Sequence, residues 1–134
     1  MKRFLLLSIL LYCLQPQGFS QQNGRPSLIG TWDQSNGKHP ATIIFEDHEK
    51  VRYSYKGHTG TTRSYYYLLN DAATPSLLTV DYSKSHKKHR NEYLIEFLGA
   101  NTLKIQVLYK KDSREHFDEN KKSQIVLLNR RMDL

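Results

Sequence analysis

The pattern that most limits what this chain can become is a succession of short alternating runs, each ended by turn residues. No window carries sustained helical periodicity. Val51, Tyr53 and Tyr55 alternate with Arg52, Ser54 and Lys56, and Tyr93, Ile95 and Phe97 alternate with Glu92, Leu94 and Glu96. Leu103, Ile105, Val107 and Tyr109 alternate with Lys104, Gln106, Leu108 and Lys110. A period of two places successive side chains on opposite faces of a strand, so these runs read as half-buried strands. Further runs cover residues 28–34, 41–46, 61–69, 77–82 and 123–130, which makes eight. Asn36-Gly37, Gly57 with Gly60, the break at 70–75 and Gly99-Ala100-Asn101 supply the turns. Consecutive strands on short connections pair with their neighbours in antiparallel fashion. Eight of them close into an all-β, up-and-down barrel, which removes exposed sheet edges.

The first residues do not belong to that fold. Met1-Lys2-Arg3 is a basic start, the run 4–14 is apolar but short for a bilayer span, and Gly18-Phe19-Ser20 offers small residues for cleavage. Residues 1–20 are therefore expected to be a signal peptide, and 21–27 a flexible polar leader. The domain is expected over 28–130, with 131–134 as a short tail. The expected location is secreted, either periplasmic or extracellular. Cys13, the single cysteine, leaves with the signal on this reading, so the mature domain has no disulfide and depends on its apolar core. About 110 residues is enough for one such core and too few for two. The chain carries 20 Lys and Arg against 13 Asp and Glu, and loss of Lys2 and Arg3 lowers the excess from +7 to +5. That balance is too mild to imply nucleic acid.

Gly30-Thr31-Trp32 holds the only tryptophan, in the first run, and Arg130 closes the last. A cation over an indole face is a stabilising pair, so Gly30, Trp32 and Arg130 are assigned structural roles. Gly-x-Trp on a first strand with an arginine ending the eighth resembles the lipocalins and the wider calycin group. The segment 97–103 is similar to the hairpin of small bacterial lipocalin-like domains. The resemblance covers about 28–130. The chain departs from the family in being short, in lacking its disulfides and in showing no helix after the barrel, and Asp81-Tyr82 echoes the second family signature out of place. The resemblance implies a calycin-type barrel and, with it, a small apolar ligand inside.

Few residues offer chemistry. After cleavage there is no cysteine, and no serine lies in a Gly-x-Ser-x-Gly turn. His86 and His89 have a metal-like spacing, but Lys87, Lys88 and Arg90 beside them repel a cation. No enzyme activity, metal or other cofactor is expected. The tyrosines combine an apolar ring with a polar tip, which suits a cavity wall. Candidate ligand-binding residues are Tyr53, Tyr55, Tyr66, Tyr93, Ile95, Phe97, Ile105 and Val107. A second cluster, Lys84, His86, Lys87, Lys88, His89 and Arg90, is the candidate anion-binding site, stronger as its histidines charge below about pH 6.5.

Two functions follow as expectations. The first is a secreted, non-enzymatic lipocalin-like barrel that binds a small apolar or amphipathic molecule in its interior. The alternative is an interaction module with a filled core, whose basic loop end meets a protein, an anionic glycan or a membrane surface. In an up-and-down barrel the connections near 35–39, 57–60, 83–91 and 111–122 all fall at one end. That end collects most of the loop cations and five of the six histidines.

Overall fold

The computed structural model describes residues 24–34, 40–55, 63–83 and 87–132, apart from the side chain of Tyr55. The expected signal segment, Lys84 and His86 lie outside the described residues. Eight strands run in chain order: β1 (Gly30–Gln34), β2 (Ala41–Phe45), β3 (Lys50–Tyr55), β4 (Ser64–Asn70), β5 (Ser76–Asp81), β6 (Arg90–Phe97), β7 (Thr102–Leu108) and β8 (Ile125–Arg130). Each pairs antiparallel with the next, and β8 pairs back onto β1, so the sheet closes as an up-and-down barrel.

The register explains the core. Trp32 lies opposite Ile43, Ile43 opposite Tyr53, and Val51 opposite Tyr65. Tyr67 faces Val80, Leu78 faces Tyr93, Ile95 faces Ile105, and Leu103 faces Leu128. Paired residues share a face, so these side chains all turn inward and form one cluster. The outer face carries Asp33, Lys50, Arg52, Glu92, Glu96 and Lys104 on the alternate positions. A charged outside around an apolar inside is the reverse of a barrel that spans a bilayer.

One end is closed by packing. The indole Nε1 of Trp32 donates to the Leu28 carbonyl at 2.8 Å. The Arg130 guanidinium lies 4.2 Å from the Trp32 ring, and the two residues are also cross-strand partners. Its Nη1 donates to the Ile29 carbonyl at 2.7 Å, and its Nη2 donates to the Ser27 carbonyl. Residues 24–29 thus lie across the base, with Leu28 buried and Arg25 reaching Asp71. Gly30 has φ +130°, and a Cβ there would stand 3.0 Å from Nη1 of Arg130, so this position takes glycine for both conformation and space.

The β7–β8 connection does not stand over the other end, where the sequence placed it. It folds down the outer wall and covers Leu94, Gln106 and Leu108, which are buried although they point away from the barrel interior. The Gln106 Oε1 accepts the Asp118 N–H at 2.9 Å, and Lys104 reaches Glu119 and lies over the Phe117 ring. Asp112, itself buried, accepts from the Tyr109 N–H and pairs with Lys121. The only helical piece of this segment is a 3-10 turn at Lys122–Gln124.

Candidate functional site

Among the described residues, the end opposite Trp32 is open. A cavity of about 690 Å³ enters the barrel there, within the size range of small-molecule sites. Ile43, Ile105, Val107, Val126 and Leu128 give it apolar walls, and Tyr53, Tyr65, Tyr82 and Tyr93 give it aromatic ones. Gln34, Asn91 and Arg63 supply polar groups. The position of the cavity follows from side-chain size along the strands. Near the base, Trp32, Phe45 and Tyr67 meet across the barrel, with Phe45 and Tyr67 edge to face at 5.2 Å, and fill it. Toward the other end the inward positions become Ala41, Val107 and Val126, which leave the axis empty.

The tyrosines form one group along one wall. Tyr65 and Tyr82 stand 4.7 Å apart by ring centroids, and Tyr53 and Tyr82 stand 5.9 Å apart. The hydroxyls of Tyr82 and Tyr93 are hydrogen-bonded at 3.0 Å, and Asn91 Nδ2 donates to the Tyr93 hydroxyl at 3.5 Å. Burial, followed by the neighbouring Tyr53 and Tyr93 hydroxyls, pushes the Tyr82 phenol far above its ordinary range. Tyr82 is therefore a neutral hydrogen-bonding hydroxyl at every physiological pH. With the Tyr93 hydroxyl and Asn91 it can orient the polar part of a guest.

A second depression adjoins the first and shares Tyr65, Tyr82 and Asn91 with it. Its other lining residues are Lys87, Lys88 and His89, and the His89 ring lies 6.0 Å from that of Tyr82. Among the described residues, no acidic side chain lines either depression. Arg90 behaves differently: it points outward and pairs with Asp81 at 3.4 Å.

The expected ligand residues separate into four groups. Tyr53, Tyr93, Ile105 and Val107 come together on the cavity wall. Ile95 and Phe97 do not join them. They lie two and four residues further along β6 than Tyr93, about 7 and 13 Å deeper. There Ile95 is buried in the packed base and Phe97 leans on Trp32 at 6.0 Å. Tyr66 is a correction: Tyr65 and Tyr67 turn inward, so Tyr66 turns out and is 62% exposed. With Leu68 and Tyr109 it lines a groove on the outer wall. For Tyr55 only the backbone lies within the described residues.

Of the expected anion-binding residues, Lys87, Lys88 and His89 flank the mouth, Arg90 is on the outer wall, and Lys84 and His86 lie outside the described residues. Sequence reasoning missed Tyr65, Tyr82, Arg63 and Asn91 as cavity residues. Their signal was positional: all four lie at strand ends that antiparallel order brings to this mouth.

No protein-family model, no curated protein and no solved structure matches this chain.

Proposed function

We propose that this protein is a non-enzymatic, lipocalin-like binding protein that takes a small amphipathic molecule into the mouth of its barrel. The observation that carries the reading is the cavity of about 690 Å³, apolar on most of its wall with a hydrogen-bonded tyrosine group on one side. Apolar walls with a few convergent polar groups are the usual make-up of a small-molecule site. The Gly-x-Trp strand, the closing arginine and the closed barrel support kinship with the calycins. The basic start and apolar run of residues 1–14, with small residues at Gly18 and Ser20, support secretion of the mature domain. An interaction module with a filled core is the weaker reading, because the described residues leave a cavity of about 690 Å³ in the upper half of the interior.

The test is binding of an environment-sensitive apolar fluorophore, together with native mass spectrometry of the purified chain. The expected result is saturable binding at one site per chain, abolished by Val107→Trp, which places an indole in the cavity while the fold is kept. Absence of saturable binding by any of a panel of fluorophores, with no co-purified mass, would overturn the proposal.

A further inference from the structure

We infer that the guest is an anionic amphiphile, a free molecule whose acidic group rests between Arg63, Lys87, Lys88 and His89 while its apolar part enters the barrel. The inference rests on the cavity being the binding site. It adds the chemistry of the head group.

Three observations combine. The apolar cavity and the basic depression are neighbours that share the Tyr65, Tyr82 and Asn91 walls, so one molecule spans both. Arg63, Lys87, Lys88 and His89 have no ion-pair partner among the described residues, which they share with Lys50, Lys110, Lys111 and Lys122 but not with Arg25, Arg52, Arg90, Lys104, Arg114, Lys121 and Arg131; only the first four stand together at one cavity mouth. The sign of charge at the mouth is also one-sided. The connections 35–40, 56–63 and 82–89, whose flanking strands end there, contain no Asp or Glu.

The fourth connection at this end does contain acids, and the fold removes most of them. The β7–β8 segment lies on the outer wall, where Asp112 is held by Lys121 and Glu119 by Lys104. On the same outer wall Glu92 pairs with Arg114 and Asp81 with Arg90. Arg90, Lys104, Arg114 and Lys121 of the outer wall are thus paired with acids, whereas Arg63, Lys87, Lys88 and His89 stand beside depressions with no acid among their described lining residues. Charges of one sign beside a low-dielectric cavity focus the field on whatever enters it. The tyrosine hydroxyls and Asn91, at the junction of the two depressions, add neutral hydrogen bonds to the same end of the guest.

The experiment uses two probes with the same ring system, anilinonaphthalene sulfonate and the sulfonate-free phenylnaphthylamine, titrated into the full mature chain. At low ionic strength the sulfonate should bind about tenfold more tightly, the order expected of one or two partly solvated charge contacts. The preference should shrink as salt rises. It should collapse in the variant R63Q/K87Q/K88Q, and Val107→Trp should remove both probes, which places the preference at the cavity. Equal affinity for the two probes would overturn the anionic assignment and leave the cavity reading standing. Binding of neither would overturn both. A third arm tests the membrane as the source of the acid: sedimentation with phosphatidylglycerol vesicles without preference for the sulfonate probe would show a surface-docking mouth, and would likewise overturn the inference.

Discussion

At the scale of single residues, the base of the barrel is the most tightly specified place in the molecule. Trp32, Arg130 and Gly30 interlock there. Trp32→Ala should cost roughly 3–5 kcal/mol, as large aromatic truncations do. Arg130→Ala should cost about 2–3 kcal/mol, because the cation–π contact is lost together with charge-assisted bonds to the Ile29 and Ser27 carbonyls. Chemical denaturation of both single variants and the double variant should show coupling of about 1 kcal/mol, whereas additive losses would mean the contact carries no energy of its own. Gly30→Ala should cost about 1–3 kcal/mol from the positive φ, with a further clash against Arg130. In the Arg130→Ala background the clash disappears and the backbone strain stays, so the penalty should shrink but not vanish. This trio was legible in the sequence, because the only tryptophan follows a glycine and the last run ends in arginine. Tyr66 was not. Three consecutive tyrosines at 65–67 carry no alternation to reveal which of them faces inward, and only the pairing of Tyr67 with Val80 decides it.

At the scale of elements, the β7–β8 segment departs most from what its sequence implies. Its charges read as a solvated loop at the mouth, yet it is a wall-covering strap held by Gln106, Lys104 and the Asp112–Lys121 pair. The sequence did contain a signal. Leu94 and Leu108 occupy outward positions of otherwise polar alternation, and Phe117 is the large apolar residue of the loop. Outward leucines on adjacent strands and an apolar loop residue are complementary surfaces, but alternation alone does not join them. Lys121, with the Tyr109 N–H, holds the Asp112 carboxyl below the usual carboxylate range. A depressed folded pKa means that the contribution is present above the unfolded value near 4 and is lost as pH falls through the folded value. The strap should therefore loosen in acid while the barrel persists. The readout is the Asp118 amide, which donates to Gln106: its exchange, corrected for intrinsic rates, should speed up in acid. Asp112→Asn should show the same faster exchange at neutral pH. An Asp118 amide equally protected in Asp112→Asn would mean the carboxylate does not hold the strap.

At the scale of the whole molecule, the barrel is a packed half joined to an open half. The class of fold and the order of the strands were legible because alternation, turn residues and short connections each point to consecutive antiparallel pairing. Whether the interior is filled was not legible. It depends on which inward residues meet at the same height, and that depends on register, which single strands do not reveal. Trp32, Phe45 and Tyr67 meet at one end, while Ala41, Val107 and Val126 meet at the other. This asymmetry has a dynamic consequence. Local opening is easiest where few buried contacts hold the backbone. Amides near Trp32, Phe45, Leu103 and Leu128 should exchange slowest, and those near Ala41, Tyr82, Asn91 and Val107 fastest among strand residues. A guest bound at the mouth should reverse part of that difference. At a free concentration of about a hundred times Kd it stabilises the folded state by about 2.7 kcal/mol, which raises Tm by several degrees for a domain of this size. The added protection should appear at the mouth ends of β2, β6 and β7, while the base changes only as far as global stability rises. Hydrogen exchange with and without the anionic probe checks this. Protection gained instead along the outer groove of Tyr66, Leu68 and Tyr109 would move the binding site from the interior to the wall.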